Sequence, residues 1–474
     1  MDQKENKKAG ADSRRGFIKK TAAATAAIAA TRLFKTPVYG QTQAPSPGRV
    51  IGANDRIVVG HIGVGGQGMA HVRSIKENAA DNNVVQVAVC DVSKYRQAEA
   101  KDYIEAENDE KKKGRATKDV KVFGDHRKML ENKDIDAVVI GTHDVWHAPC
   151  SIDAMEAGKH VYCEKPMTRY LDEAWKVHDT VKKTNKIFQV GSQICSDARW
   201  HEAAKWIRDG RIGPLVMGQD SYMRNNPLGE WNYPIQKWAT ADDIDWARWQ
   251  GAAKKKVDFN DDYYFRWRKY YPYCAGLLGD LFPHRLHPFM LATGNPEFPT
   301  RVCSIGTKKI LTDKKSDGAS KTKYIRDVPE NVGLLAEFPS GLTLLMISGT
   351  VNEQGLTSMM RGHKGTIYFG GDRIELKPEA KFADEVDPDI KQGLKPAGEK
   401  ISEMERNWFS CIHTGQLPYA NIDLAIRVQT VISLAEMAER LSVTCIYDEK
   451  TRKITSGPDG KELPKITYGW SDLS

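Results

Sequence analysis

The stretch Val58-Val59-Gly60-His61-Ile62-Gly63-Val64-Gly65-Gly66-Gln67-Gly68-Met69-Ala70 constrains this chain more than any other, because an apolar, strand-like run breaks into glycines and then resumes with helical spacing. Gly63, Gly65 and Gly68 stand in the G-x-G-x-x-G register. The first glycine permits a tight turn, the second lets backbone approach a pyrophosphate, and the third lets helix and strand pack closely. The helix that follows points free N–H groups and the positive end of its dipole at the phosphates, which places Val64, Gly66 and Gln67 in the same dinucleotide site.

A second strand-like run, Val84 to Cys90, ends at Asp91, where an acid would take the ribose hydroxyls. That spacing favours NAD over NADP. Lys94 and Arg96 lie close enough to meet a 2′-phosphate, so NADP stays open, and a strand-end turn is the other reading of Asp91.

Ser13-Arg14-Arg15-Gly16-Phe17-Ile18-Lys19 reads as a twin-arginine export signal, followed by a mildly apolar, alanine-rich segment from Thr21 to Ala30. That segment is too short and too weak to span a bilayer as a mature helix, so no stable membrane span is expected. Cleavage is expected near Val38-Tyr39-Gly40. The export machinery is then a partner, and the mature protein is periplasmic or otherwise exported. This route carries folded proteins, as a chain requires if it collects its cofactor in the cytoplasm. Of the formal charge of +8, most lies in the first forty residues, which hold nine Lys and Arg against three Asp and Glu. No basic surface for nucleic acid remains. The eight cysteines are scattered without a C-x-x-C pair, which argues against a disulfide framework or a structural zinc site.

At this length, less the signal, two domains are the natural count. From Arg56 to about Asn185 strand and helix signals alternate, the pattern of a parallel, doubly wound sheet. Val120 to Phe123, Asp136 to Ile140 and His160 to Cys163 read as further strands. From about Ile187 the character changes. Leu215–Tyr222, Arg301–Ile305, Val332–Phe338, Leu342–Ile347, Gly365–Phe369 and Arg373–Leu376 predict an open, mainly antiparallel sheet. Charge-rich segments at Asn108–Lys118, Lys308–Lys323 and Pro378–Lys400 are expected as surface loops. The aromatic block from Trp231 to Tyr273 is either packing or a sugar-stacking wall. Ile401 to His413 and Ala420 to Leu441 show helical spacing and are expected to return onto the first domain.

Two strand ends carry chemistry: Gly141-Thr142-His143-Asp144-Val145-Trp146-His147 and Glu164-Lys165-Pro166. The G-x-G-x-x-G loop, a Thr-x-Asp-x-x-His element and Glu-Lys-Pro, in this order, resemble the glucose-fructose oxidoreductase/inositol dehydrogenase (Gfo/Idh/MocA) family over nearly the whole mature chain. The resemblance implies an α/β N-terminal Rossmann domain plus an α+β C-terminal domain whose open sheet carries substrate on one face and a subunit interface on the other. The expected boundaries are a signal peptide at 1–40, a linker at 41–55, the NAD(P)-binding domain at 56–186, the substrate and oligomerisation domain at 187–415, and a C-terminal helix and tail at 416–474. An open sheet face also needs covering, so a homodimer or homotetramer is expected.

The resemblance places Lys165 beside the nicotinamide and the reacting carbon, and Thr142, His147 and Glu164 on the cofactor. An ammonium there stabilises an alkoxide as hydride leaves. His143 departs from the proline usual after the Thr. In Gly276-Leu277-Leu278-Gly279-Asp280-Leu281-Phe282-Pro283-His284-Arg285-Leu286-His287, one helical turn would set Asp280 and His284 on one face. A carboxylate beside an imidazole orients it and sustains its charged form. By resemblance this matches Asp-x-Gly-x-His, which implies Asp280 as orienting acid and His284 as general base. Phe282 replaces the family's Gly, Pro283 stiffens the first turn, and His287 stands where a second Asp is common. His287 and Trp146 are candidate substrate contacts. His143, His147, Asp280, His284 and His287 could gather round a metal on spacing alone, but the redox chemistry already accounts for them, so no metal is expected.

Together these features predict an exported NAD(P)-dependent oxidoreductase acting on a secondary hydroxyl of a sugar, polyol or glycoside. Free NAD is not expected outside the cytoplasm, so the cofactor should be retained and regenerated in place. The alternatives are a glycosidase that works by transient oxidation and elimination, and a non-catalytic sugar-binding protein on the same fold. Relatives of the glycosidase kind tend to lack the Glu-Lys-Pro lysine, although Phe282 to Pro288 looks somewhat closer to them.

Overall fold

A computed structural model describes residues 55–107, 114–251, 256–313, 325–457 and 459–464. The expected export signal and its cleavage site lie outside them. In the N-terminal domain, β1 (Ile57–Ile62) leads through the glycine loop into α1 (Gly66–Glu77), then β2 (Val84–Cys90), α2 (Lys94–Glu105), β3 (Lys121–Phe123) and α3 (His126–Leu130). The second half adds β4 (Ala137–Ile140), α4 (His147–Glu156), β5 (His160–Glu164), α5 (Leu171–Thr184) and β6 (Phe188–Gly191). The six strands are parallel in the order β3-β2-β1-β4-β5-β6. Every residue of β4 is buried, as a strand covered by helices on both faces requires. Strand order reverses between β1 and β4, which opens a crevice at their C-terminal ends. The first domain therefore reaches past its expected end at 186, because β6 completes its sheet. Only four residues long, β6 gives too short a signal to be told from the segment after it.

The second domain starts with α6 (Ala198–Arg208) and β7 (Leu215–Met223), then α7 (Pro283–Ala292), β8 (Arg301–Gly306), β9 (Asn331–Glu337), β10 (Thr343–Gly349), β11 (Met359–Gly362), β12 (Gly365–Gly370), β13 (Arg373–Pro378) and β14 (Asp389–Lys391). After α8 (Ile401–Thr414) and α9 (Ile422–Leu441) the chain returns as β15 (Thr444–Asp448) and β16 (Lys453–Gly457). The sheet runs β14-β13-β12-β11-β7-β10-β9-β8-β15-β16, antiparallel at every pair except β7 with β10. One face is buried against helices. The other carries Val216, Ile305, Leu335 and Ile446, all exposed. The tail strands β15 and β16 extend this second sheet, whereas α8 packs on α1 and β6 of the first domain and α9 lies between α5 and β8.

Between β7 and α7 a long aromatic excursion crosses back over the first domain. Its Asp245 N–H donates to Val92 O at 2.9 Å, and Lys94 N–H donates to Asp243 O at 3.2 Å. The Ser93 hydroxyl donates to Asp243 at 2.6 Å, and Tyr95 stacks on Trp238 at 4.5 Å. The excursion thereby roofs the crevice at the end of β2.

Candidate active site

The glycine loop makes the tight turn and the close helix–turn contact that its spacing suggests. Gly63 sits at φ +79, and a Cβ there would fall 2.6 Å from Thr142 N. A Cβ on Gly68 would fall 2.0 Å from Gly63 O, so helix and turn touch there. Gly65 and Gly66 differ: a Cβ on either would meet nothing within 4 Å, because both line an open cradle. Gly65 caps α1 without any side-chain partner, so the helix N-terminus presents its N–H groups to that cradle. Val64 turns inward, and its N–H donates to Asp91 Oδ2 at 2.8 Å while Ser93 N–H donates to Oδ1 at 2.9 Å. Burial raises the Asp91 pKa, and these backbone donors offset part of the rise. Asp91 thus braces the loop and forms the cavity wall at once.

The cavity is about 620 Å3 and runs from Asp91 and Arg96, past Gly65 to Gln67, to Glu164, Lys165, Asp280 and His284. Such a volume suits a cofactor with a small substrate. Thr142 lines it with a buried Oγ1 that has no protein partner. An open glycine cradle, a free helix N-terminus, an acid at the end of β2 and an unpartnered hydroxyl together fit a dinucleotide.

At the far end, Lys165 Nζ donates to Asp280 Oδ1 at 2.6 Å and to Asp280 O at 2.9 Å. Arg268 Nε donates to the same Oδ1 at 2.9 Å, and Trp231 Nε1 donates to Oδ2 at 2.9 Å. Burial would raise the Asp280 pKa, but Lys165 and Arg268 outweigh it and hold the carboxyl well below its ordinary range. The sequence expectation for Asp280 is corrected in one respect. The helical turn Leu277–Asp280 stops before Pro283, which opens α7 at its first position. Asp280 therefore shares no helix with His284 and spends its carboxylate on Lys165, Arg268 and Trp231.

His284 is buried on the cavity wall, stacks on Tyr222 at 5.4 Å, and leaves Nδ1 without a protein partner. Burial, reinforced by Lys165, pushes its pKa down to about 3, so the imidazole is neutral at pH 7 and keeps a ring lone pair free. The Tyr222 hydroxyl donates to Glu399 and accepts from Arg224 Nη2, the latter at 3.0 Å. Glu399 and Arg224 both line the cavity. Glu399 comes from a segment expected as surface loop; nothing in its local charge pattern marks it.

Glu164 is a buried hub. Its Oε1 accepts from Gln67 at 3.0 Å, from Gln193 at 2.9 Å and from His71 Nε2 at 2.8 Å. Burial alone would raise its pKa, but the His71 hydrogen bond and charge outweigh it and hold the carboxylate at about 2.

Two expected side-chain contacts, His147 and His287, do not line the cavity. The His147 ring faces Pro166 O at 2.6 Å and Thr142 O at 3.1 Å, so it ties two strand-end loops together rather than facing a cofactor. His287 directs Nδ1 at Pro283 O, 3.0 Å away, and does not line the cavity. Trp146 does line it, with Nε1 anchored on Arg248 O at 3.1 Å. His143 stacks on Trp249 at 4.5 Å. Among the described residues, no group of three or more His, Cys, Asp or Glu is placed to hold a metal. Trp249, Trp267, Tyr264 and Phe265 of the aromatic excursion also line the cavity, while the same block forms its own buried cluster with Tyr270 and Tyr273.

Residues 57–192 match the model of a family described as "Oxidoreductase family, NAD-binding Rossmann fold" (GFO_IDH_MocA). The N-terminal domain is thus an NAD-binding Rossmann domain. A "Glycosyl hydrolase family 109 protein" of Shewanella baltica (strain OS185) is 31% identical over 217 residues, 44% of this chain and 46% of the relative. An "Alpha-N-acetylgalactosaminidase" of Shewanella oneidensis is 28% identical over 235 residues, 48% of this chain and 50% of that protein. The chain spans about half the length of the curated relatives it matches. A solved structure titled "Levoglucosan dehydrogenase, complex with NADH and levoglucosan" superposes with a TM-score of 0.57 at 20% identity, covering 85% of this chain and all of that one. That likeness extends the shared fold through the second domain.

Proposed function

We propose that this chain is an exported NAD(P)-dependent oxidoreductase of the Gfo/Idh/MocA type that acts on a secondary hydroxyl of a sugar, polyol or glycoside. The observation that carries this is the pairing of Lys165 with Asp280, 2.6 Å apart, beside a buried neutral His284 at one end of a dinucleotide cradle. Bound there, the nicotinamide supplies a hydride acceptor or donor. His284 takes the hydroxyl proton as the carbonyl forms. Lys165, fixed by Asp280 and Arg268, steadies the oxygen as its charge grows. Asp280 serves by holding the ammonium, not by orienting the imidazole.

The aromatic roof over the cradle favours a cofactor that stays bound, as an exported enzyme requires. A retained cofactor must be returned to its starting form in place, in this reading by a second substrate. The exposed apolar sheet face supports a homodimer or homotetramer.

Sugar pairs test the proposal. One sugar should be oxidised and another reduced in equal amounts, with no free NAD added. Redox turnover absent across a broad panel, with cofactor bound, would overturn it. A second chemistry is favoured by the glycosidase relatives: oxidation, elimination across the glycosidic bond and re-reduction of one substrate. Release of nitrophenol from a chromogenic N-acetylgalactosaminide would support that cycle and displace the first.

A further inference from the structure

One buried cluster behind the cradle is not used by the proposed chemistry. His71, on α1, is fully buried. Its Nε2 lies 2.8 Å from Glu164 Oε1 and its Nδ1 lies 2.7 Å from Glu405 Oε1, the latter residue coming from α8. The Ser74 hydroxyl donates to the other Glu405 oxygen at 2.5 Å. Tyr162 packs edge-on against the imidazole at 5.0 Å. With both ring nitrogens facing carboxylates, His71 donates twice and carries a positive charge. Two carboxylates share that one imidazolium, so the cluster keeps one net negative charge. Glu164 brings it to the cavity wall, beside Lys165 and under the half of the crevice formed by β4, β5 and β6, where the nicotinamide half of a dinucleotide lies.

We propose that the Glu164–His71–Glu405 cluster tilts the bound cofactor toward its oxidised form, so that the resting enzyme holds NAD+ and opens its cycle by oxidising a hydroxyl. The oxidised nicotinamide carries a positive charge that the reduced ring lacks, and a fixed negative charge stabilises only the former. The surplus charge originates at Glu405, which touches neither the cavity nor its contents. Burial opposes ionisation of His71, but its hydrogen bonds to Glu164 and Glu405 outweigh it and lift its pKa to about 9, in keeping with a charged imidazole at neutral pH. The inference rests on the cofactor site assigned above.

Redox titration of the protein with its cofactor bound, followed at the nicotinamide absorbance, tests it. Glu405→Gln keeps the shape and, with the titration run below the ordinary imidazole pKa so that His71 stays protonated, removes one charge. A unit charge about 10 Å away at an effective dielectric constant near 20 is worth roughly tenfold in the ratio of oxidised to reduced affinity. The midpoint potential should therefore rise by about 30 mV, the two-electron equivalent of tenfold. Glu164→Gln, which removes the charge at the wall itself, should move it further in the same direction and serves if Glu405→Gln does not fold. Ser74→Ala removes a hydrogen bond from the cluster without changing its charge, and should leave the potential in place. Unmoved potentials in the folded charge variants, or an equal shift in Ser74→Ala, would overturn the inference. Failure of the wild-type protein to bind either cofactor form would instead overturn the site assignment.

Discussion

Lys165 holds an ammonium in a wall where its side chain is only 11% exposed, and Asp280, at 10%, is the partner that makes this tolerable. Replacing Lys165 by Ala should lower kcat by roughly a hundredfold or more while leaving NAD binding within a few-fold of wild type. Steady-state rates together with cofactor titration check both halves; unchanged turnover removes the residue from the chemistry. Asp280→Asn should be more damaging to the fold. It leaves Lys165 and Arg268 facing an amide, and breaking a buried pair of this kind costs about 3–5 kcal/mol. A Tm equal to wild type would show that the cluster is solvated and not structural.

The residues of the glycine loop were legible because each obeys a local steric rule. Glu-Lys-Pro was legible through its resemblance to the Gfo/Idh/MocA motif, and it stands at the end of β5. The partners of Asp280 were not. Trp231 and Arg268 reach it from a segment whose path over the first domain no local pattern specifies, and Pro283 moved His284 onto a separate helix.

Among the elements, α1, β5 and α8 are pinned together by His71. The groups facing it are Glu164 and Tyr162 from β5, Glu405 from α8 and His61 from β1. Burial disfavours the charged ring, yet the two carboxylates raise its pKa from 6.5 to about 9. A group held above its unfolded value gives its full stabilisation below pH 6.5 and loses it as pH rises through about 9. The Tm gap between wild type and His71→Gln should therefore be widest near neutral or lower pH and close as the solution becomes alkaline. A gap that stays constant through that window would show that His71 is neutral in the folded protein.

Element types were easier to read than their grouping. Most strands of both sheets and the terminal helices follow from hydrophobic periodicity, although β11 was not read as a strand and β14 lies in a segment expected as a surface loop. The short β6 and the tail strands β15 and β16 were harder to assign, because membership in a sheet is decided by distant partners such as Val302, which pairs with Cys445.

At the scale of the whole molecule, the two domains meet along one cavity. The first supplies the cradle and Lys165, and the second supplies Asp280, Arg268, His284 and an aromatic roof. A roof of this kind slows exchange, so the protein should leave purification with nucleotide in place.

The most direct test of the account is an absorbance spectrum of the protein purified without added cofactor, taken before and after adding sugars and glycosides one at a time. The account predicts bound nicotinamide whose band near ~340 nm rises with one sugar and falls when a second is supplied. A protein that carries no nucleotide, even after reconstitution with NAD, would contradict it.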